Sequence, residues 1–313
     1  MRRTQLPWTS LDRRAPLAKD DGPRRKGAAR IADIPPAVRR RLDRGEIETT
    51  TLVEWLAIDH VVLVAVAARA AGLEGEADRL AERAEARASA RFTDRMRGTA
   101  LDLGAALAEA KVGADALAAL ALHPSDMIRG WLCSIHGAAA RSSLEARLAT
   151  ARFFAADRSM AVRECAWDAI RPHLVADLDR SIASLEAWVV DADPNVRRCA
   201  IEATRPRGVW CPHIEALKLE PERGLPLVSA VRDDESRYVL ASAANWLNDA
   251  SKSRPDWVAS ICAAWSKETT SERTEWLVRR ALRTIERDGP KRPVKSPVER
   301  PARRSVKRRG SGS

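Results

Sequence analysis

A chain of 313 residues, 45% of them hydrophobic and 31% charged, can bury a full core and is composed unlike a fibrous or bilayer-embedded polypeptide. Its formal charge of +11 suggests a polyanion partner, yet residues 1–30 carry +6 and residues 289–313 carry +8, which leaves the intervening body at −3. A uniformly basic body is therefore excluded, and any polyanion must be met by a local patch.

The first 30 residues, rich in Pro, Gly and Arg, are expected to form a disordered basic arm. Ordered structure is predicted to start near Ile34-Pro35-Pro36, ahead of Val38 to Leu42, and again at Thr49-Thr50-Thr51, ahead of a helix over Leu52 to Val66. Two Ala-rich amphipathic helices follow, Glu76 to Met96 and Thr99 to Glu109, completing an N-terminal helical cap over 31–113. The longest apolar run, Val61 to Ala68, is too short to cross a bilayer. No secretory leader is visible at the polar, charged start, and the five cysteines show no CxxC or framework spacing, so reduced core thiols and a cytoplasmic protein are expected.

From about Ala114 one plan recurs: an acidic or polar turn, then a helix with Val, small and Arg positions at i, i+3 and i+4. It appears as His123-Pro124-Ser125-Asp126-Met127-Ile128-Arg129, as Asp157-Arg158-Ser159-Met160-Ala161-Val162-Arg163, and after Asp193-Pro194-Asn195 and Asp233-Asp234-Glu235-Ser236. A degenerate copy is Trp276-Leu277-Val278-Arg279-Arg280-Ala281. The equivalent positions Arg129, Arg163, Arg197, Leu240 and Arg279 lie 34, 34, 43 and 39 residues apart, which brackets the period of two-helix solenoids. The fold class expected is all-α, a HEAT-like α-α superhelix over 114–288, ended by Gly289-Pro290 and followed by a disordered basic tail over 289–313. In such a stack, residues alike in repeat position share one concave surface, where function is expected to lie.

Arg163, Arg171, Arg197, Arg198, Arg205 and Arg207 fall near the same helix positions of successive repeats and form the candidate phosphate-contacting patch. Solvated or interhelix-paired arginines are the equally open alternative. Cys211 and His213 with His173 have no zinc-motif spacing, and no nucleophile elbow or Gly-rich phosphate loop occurs, so no metal and no cofactor are expected. Trp55, Trp188, Trp257 and Trp265 sit at core spacing.

Ala169-Ile170-Arg171-Pro172, Val196-Arg197-Arg198, Glu202 to Trp210 and Asn245-Trp246-Leu247-Asn248-Asp249-Ala250-Ser251-Lys252 resemble the AlkC/AlkD family of DNA alkylation repair proteins, over roughly Ala161 to Ile285. The resemblance implies a DNA glycosylase that binds duplex DNA on the concave face and releases cationic N3- or N7-alkylated purines, acting as a nucleoid-associated monomer. It further implies Asp249 as a catalytic carboxylate, Trp210 as a lesion contact and Arg198 as a phosphate contact. Trp246 neighbours the same cleft by sequence, but fits ordinary packing between helices as well. One departure matters: where resembling proteins have an acid two positions ahead of Ala-Ile-Arg-Pro, this chain has Trp167, a further candidate lesion contact, and Glu164, one turn earlier, is the candidate replacement as catalytic carboxylate or else an ion-pair partner of Arg163 or Arg171. Glu202 reads as an internal salt-bridge partner of Arg198 or Arg205. The missing acid keeps open a noncatalytic, lesion-sensing DNA-binding protein, and solenoids in general also serve as protein-interaction scaffolds.

Overall fold

The computed structural model describes residues 25–140, 142–209 and 211–288. The tail over 289–313, most of the N-terminal arm and the candidate lesion contact Trp210 lie outside the described residues. Among the described residues there are sixteen α-helices and no strand, an all-α solenoid.

The N-terminal part consists of α1 (Pro36–Asp43), α2 (Leu52–Ala57), α3 (His60–Ala70), α4 (Ala77–Glu85) and α5 (Phe92–Glu109). Three boundaries differ from the sequence expectation, the first being the predicted helix Glu76 to Met96, which ends as α4 at Glu85 and starts again as α5 at Phe92. The predicted helix Leu52 to Val66 is broken because Asp59 caps a new helix, its carboxylate accepting from the backbone N–H groups of Val61 at 2.8 Å and Val62 at 3.3 Å. Conversely, α5 runs unbroken through Gly98, where a Cβ would lie 2.6 Å from Nε of Arg87. Glycine here admits a neighbouring side chain instead of ending a helix. Residues 25–30, placed by the sequence in the basic arm, are held by the body: Arg25 pairs with the buried Glu54, and the Ala28 N–H donates to the same carboxylate at 3.2 Å. A buried carboxylate on α2 needs these donors, so residues 25–30 pack against the helical body.

Beyond α6 (Ala114–Ala121) come α7 (Asp126–Ala138), α8 (Leu144–Ala155), α9 (Met160–Ala176), α10 (Leu178–Leu185), α11 (Pro194–Ala203), α12 (Glu215–Leu219), α13 (Leu225–Ala230), α14 (Arg237–Ser251), α15 (Pro255–Glu268) and α16 (Glu272–Asp288). Helices α5, α7, α9, α11, α14 and α16 pack each on the next as one continuous row, and α8 and α15 back it from the other layer. The core between the layers includes Trp131, Phe154, Leu174, Val239, Leu247 and Val258.

The repeat arginines have a mechanical role. Arg129 donates from Nη1 to the carbonyls of His123 and Pro124, at 2.6 and 3.1 Å. Arg163 does the same to Asp157 and Arg158 at 2.8 and 2.9 Å, and Arg197 to Asp191 and Ala192 at 2.8 and 3.2 Å. Each arginine thus closes the turn that begins its own helix. Two of them also reach the acidic turn of the following repeat: Arg129 Nε meets Asp157 at 2.9 Å, and Arg197 Nε meets Asp234 at 2.7 Å. Leu240, the counterpart in α14, is buried and has no such donor, while Arg279 lies exposed 3.8 Å from Glu275.

Candidate active site

Three helices of the row each present a stripe of polar side chains. On α9 it is Glu164, Trp167 and Arg171, spaced i, i+3, i+7; on α11 it is Arg198 and Glu202; on α14 it is Tyr238, Ser242, Asn245 and Asp249, spaced i, i+4, i+7, i+11. The loop after α11 adds Arg205 and Arg207. That loop has a fixed course, because the buried Arg171 donates to the carbonyls of Ala203 at 2.9 Å, Arg205 at 2.7 Å and Pro212 at 3.2 Å.

The stripes enclose a cavity of ≈150 Å³ walled by Glu164, Trp167, Arg171, Arg198, Arg205 and Asn245, among others. Glu164 is the more accessible of the two proposed carboxylates, its side chain 30% exposed against 5% for Asp249. Its Oε2 accepts from the Trp167 indole N–H at 3.0 Å, and its Oε1 lies 2.7 Å from Nη2 of Arg198. The Trp167 indole therefore holds Glu164, the candidate replacement carboxylate, in place. Arg198 is itself fixed by the Tyr238 ring, whose centroid lies 4.3 Å from the guanidinium carbon, a contact of about 0.5–2 kcal/mol. Burial opposes the charge on Arg198, but Glu164 and Glu202 outweigh it and raise its pKa above the ordinary arginine value.

Asp249 sits behind this wall. Arg205 donates to its Oδ2 from Nε at 2.9 Å and Nη2 at 2.7 Å, and Lys252 donates to its Oδ1 at 3.0 Å. Glu202 completes an alternating chain of charge: its Oε2 faces Arg205 at 3.1 Å, its Oε1 accepts from the Ser242 hydroxyl at 2.6 Å, and Arg198 stands 3.6 Å away. Arg205, like Arg198, is held above its ordinary pKa because its acidic partners outweigh the opposing effect of burial.

Of the residues singled out in the sequence, Glu164, Trp167, Arg171, Arg198, Glu202, Arg205 and Arg207 come together at the cavity, whereas Trp246 and the arginines of the candidate phosphate patch are engaged within the protein. Trp246 is fully buried, with its indole N–H donating to the Thr204 carbonyl at 2.9 Å, so it packs between helices and touches no ligand space. Arg197 and Arg163 close repeat turns as described, and Arg205 is committed to Asp249 and Glu202. Arg198 is ion-paired and 9% exposed, and Arg207 donates to the Asp249 carbonyl at 3.2 Å and the Ser253 hydroxyl at 2.7 Å. Interhelix pairing, the alternative left open by the sequence, describes this arginine set. Tyr238 was missed, although it is the only tyrosine in the chain and stands seven residues before Asn245 on the Asp249 stripe. The four fully buried cysteines, Cys133, Cys165, Cys199 and Cys262, are unpaired, and burial pushes the Cys262 thiol up to about 12.

No established family signature matches the chain. An uncharacterised protein of Bacillus subtilis (strain 168), YhaZ, is 40% identical over 123 residues, which is 39% of this chain and 34% of that protein. Among solved structures, the alkylpurine DNA glycosylase AlkC of Pseudomonas fluorescens, bound to DNA containing an abasic site analog, superimposes with a TM-score of 0.61 at 28% identity. The match covers 72% of this chain and 62% of AlkC. AlkD2 from Streptococcus mutans gives a TM-score of 0.45 at 18% identity over 65% of this chain and 87% of that one. The chain spans about a third of YhaZ and less than two thirds of AlkC. Its all-α fold is similar to that of AlkC.

Proposed function

We propose that this AlkC/AlkD-like chain binds duplex DNA and hydrolyses the N-glycosidic bond of cationic N3- or N7-alkylated purines, with Glu164 as the working carboxylate. The observation that carries the reading is a carboxylate at an open cavity, gripped by an indole N–H and a guanidinium, on a fold it shares with a DNA-bound glycosylase. No metal or cofactor enters the scheme.

An alkylated purine already bears positive charge, so the C–N bond breaks with its electron pair passing to the base, which leaves neutral. The sugar retains the positive charge as an oxocarbenium ion. A fixed carboxylate beside it stabilises that charge and orients water, whose oxygen bonds to the sugar carbon while its proton passes to the carboxylate or to solvent. Glu164 suits this task because Trp167 and Arg198 fix its direction before the reaction. Asp249 supports Arg205 and thereby the cavity wall, a positioning role rather than direct contact with the sugar.

A second reading, a DNA-binding sensor without base release, is favoured by the saturation of Asp249 with Arg205 and Lys252. Incubating the protein with methylated duplex DNA and separating the freed bases by chromatography distinguishes the two. Glycosylase action predicts 3- or 7-methylpurine in the supernatant. Retained binding without free base, alongside an active control enzyme, selects the sensor.

A further inference from the structure

Away from the Glu164 cavity, α14 and α16 frame a second, open pocket of ≈410 Å³, walled by Arg237, Arg273, Arg279 and Trp276 with Glu272 and Glu275. At its centre is a stack: the guanidinium carbon of Arg237 lies 3.5 Å from the centroid of the Trp276 ring, and that of Arg280 lies 5.6 Å from it. A guanidinium resting on an indole uses its flat face and leaves its N–H edge for anion oxygens.

Two of the nearby cations are already tied to acids, Arg273 to Asp233 at 3.0 Å and Arg279 to Glu275 at 3.8 Å. Arg237 and Arg280 are exposed and have the indole as their partner. They contrast with Arg197, Arg198, Arg205 and Arg207, whose N–H groups serve the protein itself.

The stack is also continuous with the cavity. Trp276, Arg280 and Arg283 lie at i, i+4 and i+7 on one face of α16, and Arg283 donates to Oδ1 of Asn245 at 3.0 Å. Asn245 is part of the cavity wall. A cationic strip thus runs from the indole stack to the space in front of Glu164.

We infer that Arg237 and Arg280, stacked on Trp276, form a seat for the phosphodiester backbone of duplex DNA beside the base presented to Glu164. The inference rests on the DNA repair reading above. It assigns the phosphate contacts to α14 and α16, away from the internally paired arginines of α9 and α11.

The test uses the full chain, a fluorescently labelled duplex and titrations over a range of salt. Each lost phosphate contact removes about 0.9 from the slope of log K against log salt, so Arg237→Ala combined with Arg280→Ala should flatten the slope by about 1.8. Arg237→Lys with Arg280→Lys, which keeps both charges, should restore most of it. Arg273→Ala, whose guanidinium is held by Asp233, should leave it unchanged. A wild-type slope in the double alanine variant overturns the inference while leaving duplex binding intact. An equal loss in Arg273→Ala also overturns it, as a general charge effect. No duplex binding by the wild type removes both this inference and the reading it rests on.

Discussion

Glu164 and Asp249 are both acids on the same row of helices, and what separates them is what surrounds each. Asp249 is buried and enclosed by Arg205 and Lys252, so neutralising it weakens charged hydrogen bonds to both and leaves Arg205 with Glu202 as its remaining acidic partner, which costs about 1.5–3 kcal/mol. Asp249→Asn should therefore lower the melting temperature along with any activity, as differential scanning fluorimetry would record. Glu164→Gln keeps an oxygen for the Trp167 N–H and should melt close to wild type. Trp246→Ala removes a fully buried indole and should destabilise by about 3–5 kcal/mol in urea unfolding. A Trp246→Ala protein of unchanged stability would contradict its placement in the core. The chemical types needed at the site were legible in the sequence, but their accessibility was not. It is decided by the Arg205–Asp249 pair, whose members are 44 residues apart, and no local spacing encodes which carboxylate such a pair will cover.

At the scale of the helix, the repeat period was legible because it has a simple cause. An arginine in the first turn and a half of α7, α9 and α11 must reach the carbonyls five and six residues before it, so turn and arginine recur together. The same pattern invites a phosphate reading, whereas in the structure Arg163 and Arg197 donate to the carbonyls of their own turns. Arg197→Ala should thus act on stability, by about 3–5 kcal/mol through the stranded Asp234, and should leave the salt slope of duplex affinity unchanged. A flattened slope with intact stability would return Arg197 to the DNA surface. Helix ends were less legible. Asp59 looks like any polar residue on a helix face, yet it starts α3, and Gly98 looks like a break, yet α5 passes through it. In both cases the outcome depends on a partner elsewhere: Asp43, which accepts the Asp59 N–H at 2.8 Å, and Arg87, which fills the space above Gly98.

Across the whole molecule, stability should depend on pH through buried histidines. Burial lowers His60, His123 and His136 to about 4, below the ordinary value near 6.5. The folded-state pKa is depressed, so between these values the unfolded chain takes up protons that the folded chain refuses. The stabilisation is complete above about pH 6.5 and is lost as pH falls toward 4, by at most about 3 kcal/mol for His60 alone. Melting temperatures recorded from pH 7 to pH 4.5 should fall, and His60→Leu should show a shallower fall than wild type. An identical pH profile for that variant would remove His60 from the account.

The row of helices matters for function only if it delivers a lesion to Glu164. The most direct measurement is single-turnover release of methylated purine from duplex DNA by wild type, Glu164→Gln and Trp167→Phe, all at saturating protein. The expected result is measurable release by wild type, a loss of about 10²–10³ in Glu164→Gln without loss of melting temperature, and an intermediate rate in Trp167→Phe, which removes the N–H that aims the carboxylate together with part of the buried ring. A Glu164→Gln protein that releases base as fast as wild type would contradict the central claim.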